Sequence, residues 1–160
     1  MMQRIIFLDI DGPIINTPMF FIRHDCSITR SAMNTQAIAF VVEIARVAKA
    51  RIVTNSTHNT HDVDGKNLRF DLVEVGVPDE LFHEQWRTKY PDYWGGHGRL
   101  RAIHDWMEEN GEADWIAFDD ASFTDSERLI LVDFDRGIDW DCYQKARKYW
   151  RLPENRIIVA

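Results

Sequence analysis

Cysteine is scarce in this chain. Only Cys26 and Cys142 carry a thiol among 160 residues, far apart and with no CxxC spacing. That excludes a disulfide framework and a cysteine-based zinc knuckle, and both thiols are expected to be reduced and structural. Long apolar runs are missing too: nothing approaches the roughly 18 consecutive apolar residues that a membrane-spanning helix requires. The N-terminal MMQRIIFLDID meets charge too early for a signal peptide. A cytoplasmic protein with no membrane association is expected. Nor is there an excess of positive charge: 19 Lys and Arg stand against 26 Asp and Glu, a net charge of −7. This disfavours coating of extended nucleic acid, while leaving a short nucleic-acid end as a partner. No internal repeat, low-complexity tract or linker interrupts the chain. Its length is that of one ordinary domain, so residues 1–160 are expected to form a single domain around one core.

What is present is a series of short apolar runs, each ending in polar residues. RIIFL at 4–8 has the look of a strand buried on both faces and ends at Asp9. Asn34 or Thr35 can cap a helix whose apolar positions Ile38, Val41, Val42, Ala45 and Ala48 follow helical spacing. A second strand, Arg51 to Val53, leads into Thr54-Asn55-Ser56. Residues 67–75 read as helix, with Leu68, Leu72 and Val75 on one face and Gly76-Val77-Pro78 as the stop. A third strand is expected over Leu81 to Glu84, and the Gly-rich, aromatic, basic segment 86–99 reads as a loop. Leu100, Ile103 and Met107 mark a helix that ends at Asn110-Gly111. Trp115 to Phe118 is a fourth buried strand, ending in Asp119-Asp120. Further strands are expected at Leu129 to Val132 and Arg156 to Val159, with a helix over about 140–150 between them. Alternating strands and helices predict an α/β fold, a Rossmann-like three-layer α/β/α sandwich with a mostly parallel sheet of about five strands.

In such a sheet a ligand site lies beyond the carboxyl ends of the strands. The residues found there are Asp9 and Asp11, then Thr54 and Asn55, then Lys89, then Asp119 and Asp120. Two aspartates one residue apart repel each other unless a cation sits beside them. Several hard oxygen ligands suit magnesium, which retains positions for water and phosphate oxygens. Thr54 and Lys89 are then placed to hold phosphate.

These motifs resemble the haloacid dehalogenase-like (HAD) superfamily of phosphohydrolases. An apolar strand followed by Asp-x-Asp-Gly matches Ile5 to Gly12, and a strand ending in Ser or Thr matches Ile52-Val53-Thr54. A lone lysine before a helix is met by Lys89, and a strand ending in two acids by Asp119-Asp120. The resemblance spans nearly the whole chain. Within the superfamily it is to small members associated with nucleic-acid repair and phage proteins. It implies that Asp9 is a nucleophile forming an aspartyl-phosphate and that Asp11 is the general acid and base. It further implies that Thr54 and Lys89 offset charge on the transferring group. The implied Mg2+ ligands are the Asp9 carboxylate, the Asp11 backbone carbonyl and Asp120, with Asp119 behind them or close to Lys89. Branches that cleave carbon–halogen bonds lack Asp11, so a phosphomonoesterase or phosphotransferase is favoured. Ser56 can replace Thr54 if the strand runs two residues longer, and Arg99 can replace Lys89. Pro13 stands where Thr or Val is usual and stiffens the loop.

Gly12, Asn55, Trp94 and Arg99 are the candidates for contact with substrate. Trp86 and Trp94 fall with Tyr90 and Tyr93 among Arg87, Lys89, His97, Arg99 and Arg101. That composition suits base stacking and phosphate contact, and equally a loop packed by its own aromatics. DVDG at 62–65 and DFDRG at 133–137 repeat the two-acid spacing but lack the full calcium-loop pattern and are read as turns. His58 and His61 have the spacing of a zinc pair, but with no cysteine nearby they read as loop or phosphate-adjacent residues. The intervals between motifs are too short for a cap domain, which leaves a site open to a nucleotide or an oligonucleotide end. A phosphorylated small molecule, bound with or without turnover, is the alternative ligand.

Overall fold

Six residues, Gln3–Leu8, form the first strand (β1), and its last four side chains are fully buried. A computed structural model describes residues 2–17, 32–60, 62–89 and 96–153. After β1 come α1 (Thr35–Ala48), β2 (Arg51–Thr54), β3 (Asp62–Val63), β4 (Lys66–Asn67), α2 (Leu68–Glu74) and β5 (Phe82–Arg87). They are followed by α3 (Gly96–Asn110), β6 (Ala113–Asp119), β7 (Leu129–Leu131) and α4 (Trp140–Tyr149), and short 3-10 turns lie at Thr57–Thr60 and Asp79–Leu81. The five main strands pair in the order β5-β2-β1-β6-β7, every pair parallel. This is a Rossmann-like α/β fold.

Strand alternation sends side chains to two faces. Ile6, Leu8, Ile52, Ile116 and Phe118 pack with Ile38, Val41 and Ala45 of α1, Leu68 and Leu72 of α2, and Cys142 and Ala146 of α4. Ile5, Phe7, Val53, Trp115 and Ala117 pack on the other face with Ile103, Trp106 and Met107 of α3. The ring of Phe7 meets Trp106 and Trp115 edge-on, at centroid distances of 5.5 and 5.9 Å. Each such buried side chain contributes about 1.5–3 kcal/mol, so the strand that carries Asp9 is fixed from both sides.

The helix ends follow local chemistry. Asn34 is the α1 cap, its side-chain oxygen accepting from the backbone N–H groups of Gln36 and Ala37 at 2.9 and 3.2 Å. Asn67 and Asp139 cap α2 and α4 in the same way. DVDG is a hairpin turn joining β3 to β4, and Asp133 accepts the N–H of Asp135 within the turn of DFDRG.

Two expectations are corrected. The third long strand runs over Phe82–Arg87 rather than Leu81 to Glu84, and α3 begins at Gly96 inside the segment read as a loop. β5 is an edge strand with half its residues exposed, so it lacks the apolar run that marked the others. The glycines at the start of α3 hide it from propensity. The strand expected at 156–159 lies outside the described residues, as does Cys26. Among the described residues the β3–β4 hairpin is the only addition to the three layers, and no cap domain is present.

Candidate active site

Sheet register assembles the site. Leu8 lies opposite both Thr54 and Phe118, so Asp9, Asn55 and Asp119 are neighbouring residues across three adjacent strands. Backbone bonds hold the level: Asp9 N–H donates to Phe118 O at 3.0 Å and Asn55 N–H to Leu8 O at 2.8 Å. Asp120, one residue on, completes a carboxylate group in which one oxygen each of Asp9, Asp119 and Asp120 lies within 4.8 Å of the others.

Gly12 makes this approach possible. Its φ is +98°, and a Cβ placed on it would stand 2.9 Å from both Cβ and Cγ of Asp120. Only glycine combines that backbone conformation with that clearance.

The cation beside the carboxylates is Arg99, from the first turns of α3. Its Nη1 lies 3.1 Å from Asp9 Oδ1 and 2.8 Å from Asp119 Oδ2. Asp119 Oδ1 accepts the Ala121 N–H at 2.8 Å, so both oxygens of Asp119 are engaged. Asp9 Oδ2, by contrast, is buried with no hydrogen-bond partner. Burial, and then the neighbouring Asp119, push the Asp9 carboxyl well above the usual carboxylate range against the pull of Arg99. Burial also pushes Asp119 up, to about 6, opposed chiefly by Arg99. A buried carboxylate oxygen with no partner, flanked by two more acids, fits a hard divalent cation.

Asp11 is placed differently, its Oδ2 lying 2.9 Å from Nε2 of His58, a half-buried residue in the 3-10 turn after β2. That turn is pinned by Asn59, whose amide donates to Thr54 O at 2.9 Å, Thr88 O at 3.0 Å and Thr88 Oγ1 at 3.2 Å.

Several site candidates take other positions. Lys89 pairs elsewhere in this structure: its Nζ is 2.5 Å from Glu109 Oε1, and its side chain is 80% exposed. It lies two residues beyond β5 and is held by the outer part of α3, so Arg99 stands at the carboxylates instead. Thr54 is fully buried, and its hydroxyl donates to Asn59 Oδ1 at 2.7 Å, an internal bond rather than one directed at the acids. Ser56 Oγ accepts the His58 N–H at 3.3 Å and keeps its own proton to donate. Asn55 is a brace: its Oδ1 accepts from Thr88 Oγ1 at 2.8 Å and its Nδ2 donates to Arg99 O at 3.3 Å. Trp94 lies outside the described residues, as do His61, Tyr90 and Tyr93. Asn59 and Thr88 escaped the sequence reading because amides and hydroxyls in turns carry no distinctive spacing.

The parallel sheet with acids gathered at the carboxyl ends of its central strands is that of a HAD-like domain, a fold of phosphohydrolase type. A family model described as the HAD domain in Swiss Army Knife RNA repair proteins matches residues 5–141, and the chain belongs to that family. No curated protein and no solved structure matches the chain. HAD domains typically use Mg2+, and the cluster of Asp9, Asp119 and Asp120 can bind a metal.

Proposed function

We propose that this chain, as one HAD-like domain over residues 1–160, is a magnesium-dependent phosphomonoesterase acting on a nucleotide or the terminal phosphate of a nucleic acid. The observation that carries the reading is the buried, unpartnered Oδ2 of Asp9 between Arg99 and the acids Asp119 and Asp120.

Asp9 attacks phosphorus in line, forming an acyl-phosphate bond as the ester P–O bond breaks. Asp11 gives its proton to the departing oxygen, then takes one from the water that cleaves the acyl-phosphate. Arg99 holds Asp9 through Oδ1, which leaves Oδ2 without a hydrogen-bond partner, and its charge offsets the negative charge of the transferring group. Ser56 retains a proton for a phosphoryl oxygen, whereas that of Thr54 is committed to Asn59. Asp9, Asp120 and the backbone carbonyl of Asp11 would hold Mg2+, with Asp119 behind them orienting Arg99. When bound, the ion supplies positive charge that lets acids and phosphate approach one another.

The choice of substrate rests on three features. The family description places such domains in RNA repair proteins. The site carries no cap domain among the described residues, which is compatible with a bulky ester. The net charge of −7 favours contact with a chain end over a long track of phosphates.

A phosphate-release screen over nucleoside monophosphates, 3′- and 5′-phosphorylated oligonucleotides and sugar phosphates, with Mg2+ or EDTA, tests the proposal. Release that requires Mg2+, is greatest on nucleotide or oligonucleotide esters and is abolished by Asp9→Asn is expected. Release that survives Asp9→Asn removes the nucleophile. Tight binding of these ligands by wild type without release replaces the enzyme with a sequestering module.

A further inference from the structure

The His58–Asp11 contact lies outside the roles assigned so far. Asp11 is an acceptor when ionised, so a 2.9 Å contact between its Oδ2 and Nε2 of His58 needs the imidazole proton on Nε2. The side chain of His58 is only 16% exposed. Its turn cannot drift: the His58 N–H is held by Ser56 Oγ, Asn59 next to it is bonded to Thr54 and Thr88, and Arg87 Nη1 donates to Asn59 O at 2.7 Å. A rigid turn thus presents one donor to one oxygen of the residue assigned as acid and base.

We propose that His58 is a positioning residue that fixes which oxygen of Asp11 carries the proton. This deepens the phosphatase reading and rests on it. An N–H at Oδ2 is satisfied by a carboxylate and equally by the carbonyl oxygen of a protonated carboxyl, provided the proton sits on Oδ1. The donor therefore suppresses the χ2 rotation that would exchange the two oxygens. Oδ1 gives its proton to the leaving oxygen in the first half-reaction, and the same atom takes the proton of water in the second. No bond is made or broken at His58.

The signature is leaving-group dependence. kcat/KM reports formation of the acyl-phosphate, and an alkoxide departing from a nucleotide needs a proton, whereas p-nitrophenolate needs little help. In the Mg2+-loaded enzyme, His58→Ala is expected to lower kcat/KM about 10- to 100-fold on the preferred nucleotide and less than about threefold on p-nitrophenyl phosphate. His58→Gln, which keeps an N–H donor at similar reach, is expected to restore most of the loss. Asp11→Asn provides the internal control and should show the same substrate contrast more strongly.

The outcomes separate the two readings. If Asp11→Asn shows the contrast and His58→Ala lowers both substrates alike or neither, His58 is not a positioning residue. If Asp9→Asn stays active, or Asp11→Asn shows no contrast, the phosphatase reading itself fails and this one with it. A readout free of turnover comes from ring-nitrogen NMR of the unliganded protein: the Nε2-protonated tautomer of His58 is expected, and the Nδ1-protonated form overturns the proposal.

Discussion

Arg99 reaches from the first turns of α3 to place its Nη1 2.8 Å from Oδ2 of Asp119, and the same nitrogen is 3.1 Å from Oδ1 of Asp9. One helix residue thereby ties together the ends of two adjacent strands. Removing it would leave two buried acids of like charge with no other cation paired to them among the described residues.

Arg99→Ala is therefore expected to reduce kcat about 100- to 1000-fold, the scale of losing a charge-stabilising donor in the transition state. Arg99→Lys should recover only part, because a point charge does not reproduce the guanidinium contact. Lys89→Ala should leave both rate and melting temperature unchanged, since its partner Glu109 is on the exposed surface. Steady-state phosphate release and thermal melts of the three variants check this, and a large loss in Lys89→Ala would return the third motif to that residue.

The raised carboxyls set a pH dependence with a definite sign. A carboxyl whose folded pKa lies above its unfolded value binds more protons when folded, so its effect on stability becomes less favourable as pH rises between the two values. For Asp119 that interval runs from 3.8 to about 6, and Asp9, also raised, acts in the same direction. In EDTA, the cluster's contribution should make wild type lose more melting temperature from pH 5 to 7.5 than the double variant Asp9→Asn, Asp119→Asn. Magnesium should raise the wild-type melting temperature more at pH 7.5 than at pH 5. Melting curves across that range test both, and an equal slope in wild type and double variant would contradict the assignment.

Ser56 and Thr54 divide the second motif between chemistry and packing. Ser56→Ala is expected to lower kcat/KM about tenfold with a small change in stability, the scale of one lost hydrogen bond to a charged group. Thr54→Val removes the donor to the side-chain oxygen Oδ1 of Asn59 and should destabilise the fold by about 1–3 kcal/mol, with activity per folded molecule largely kept. Denaturant melts beside kinetics distinguish them. The reverse pattern would give the catalytic hydroxyl to Thr54.

Gly12→Ala should act on metal affinity. An added methyl meets Cβ and Cγ of Asp120 at 2.9 Å on a backbone at φ +98°, so Asp120 must move. Strain of this kind costs about 1–3 kcal/mol. The expected result is a higher magnesium concentration for half-maximal activity, measured by titration, and an unchanged titration would show that Asp120 does not hold the ion.

Much of this arrangement was legible in the sequence. The buried strands β1, β2 and β6 announced themselves as apolar runs, and the polar residues at their ends, Asp9, Asn55 and Asp119, came into register because parallel pairing brings strand ends to one edge. A cap at Asn34 or Thr35, which the structure resolves to Asn34, and the α1 core face were readable for the same local reason. The choice between Lys89 and Arg99 was not. It depends on where β5 stops and α3 starts, and an exposed edge strand and a glycine-rich first turn hide both boundaries. His58 reads from sequence as a loop or phosphate-adjacent residue, with no sign of its partner. Its contact with Asp11 spans 47 positions in the chain and depends on a turn after β2 that Asn59 pins.

The small β3–β4 hairpin has a consequence for how such a domain can diversify. Its turn at Asp64 and Gly65 is exposed, and a side chain added at Gly65 would touch nothing within 4 Å. Exposed tips of this kind accept inserted sequence readily. Foreign residues spliced there would leave the packed layers and the carboxylates in place, so new selectivity could be grafted onto the same chemistry without rebuilding it.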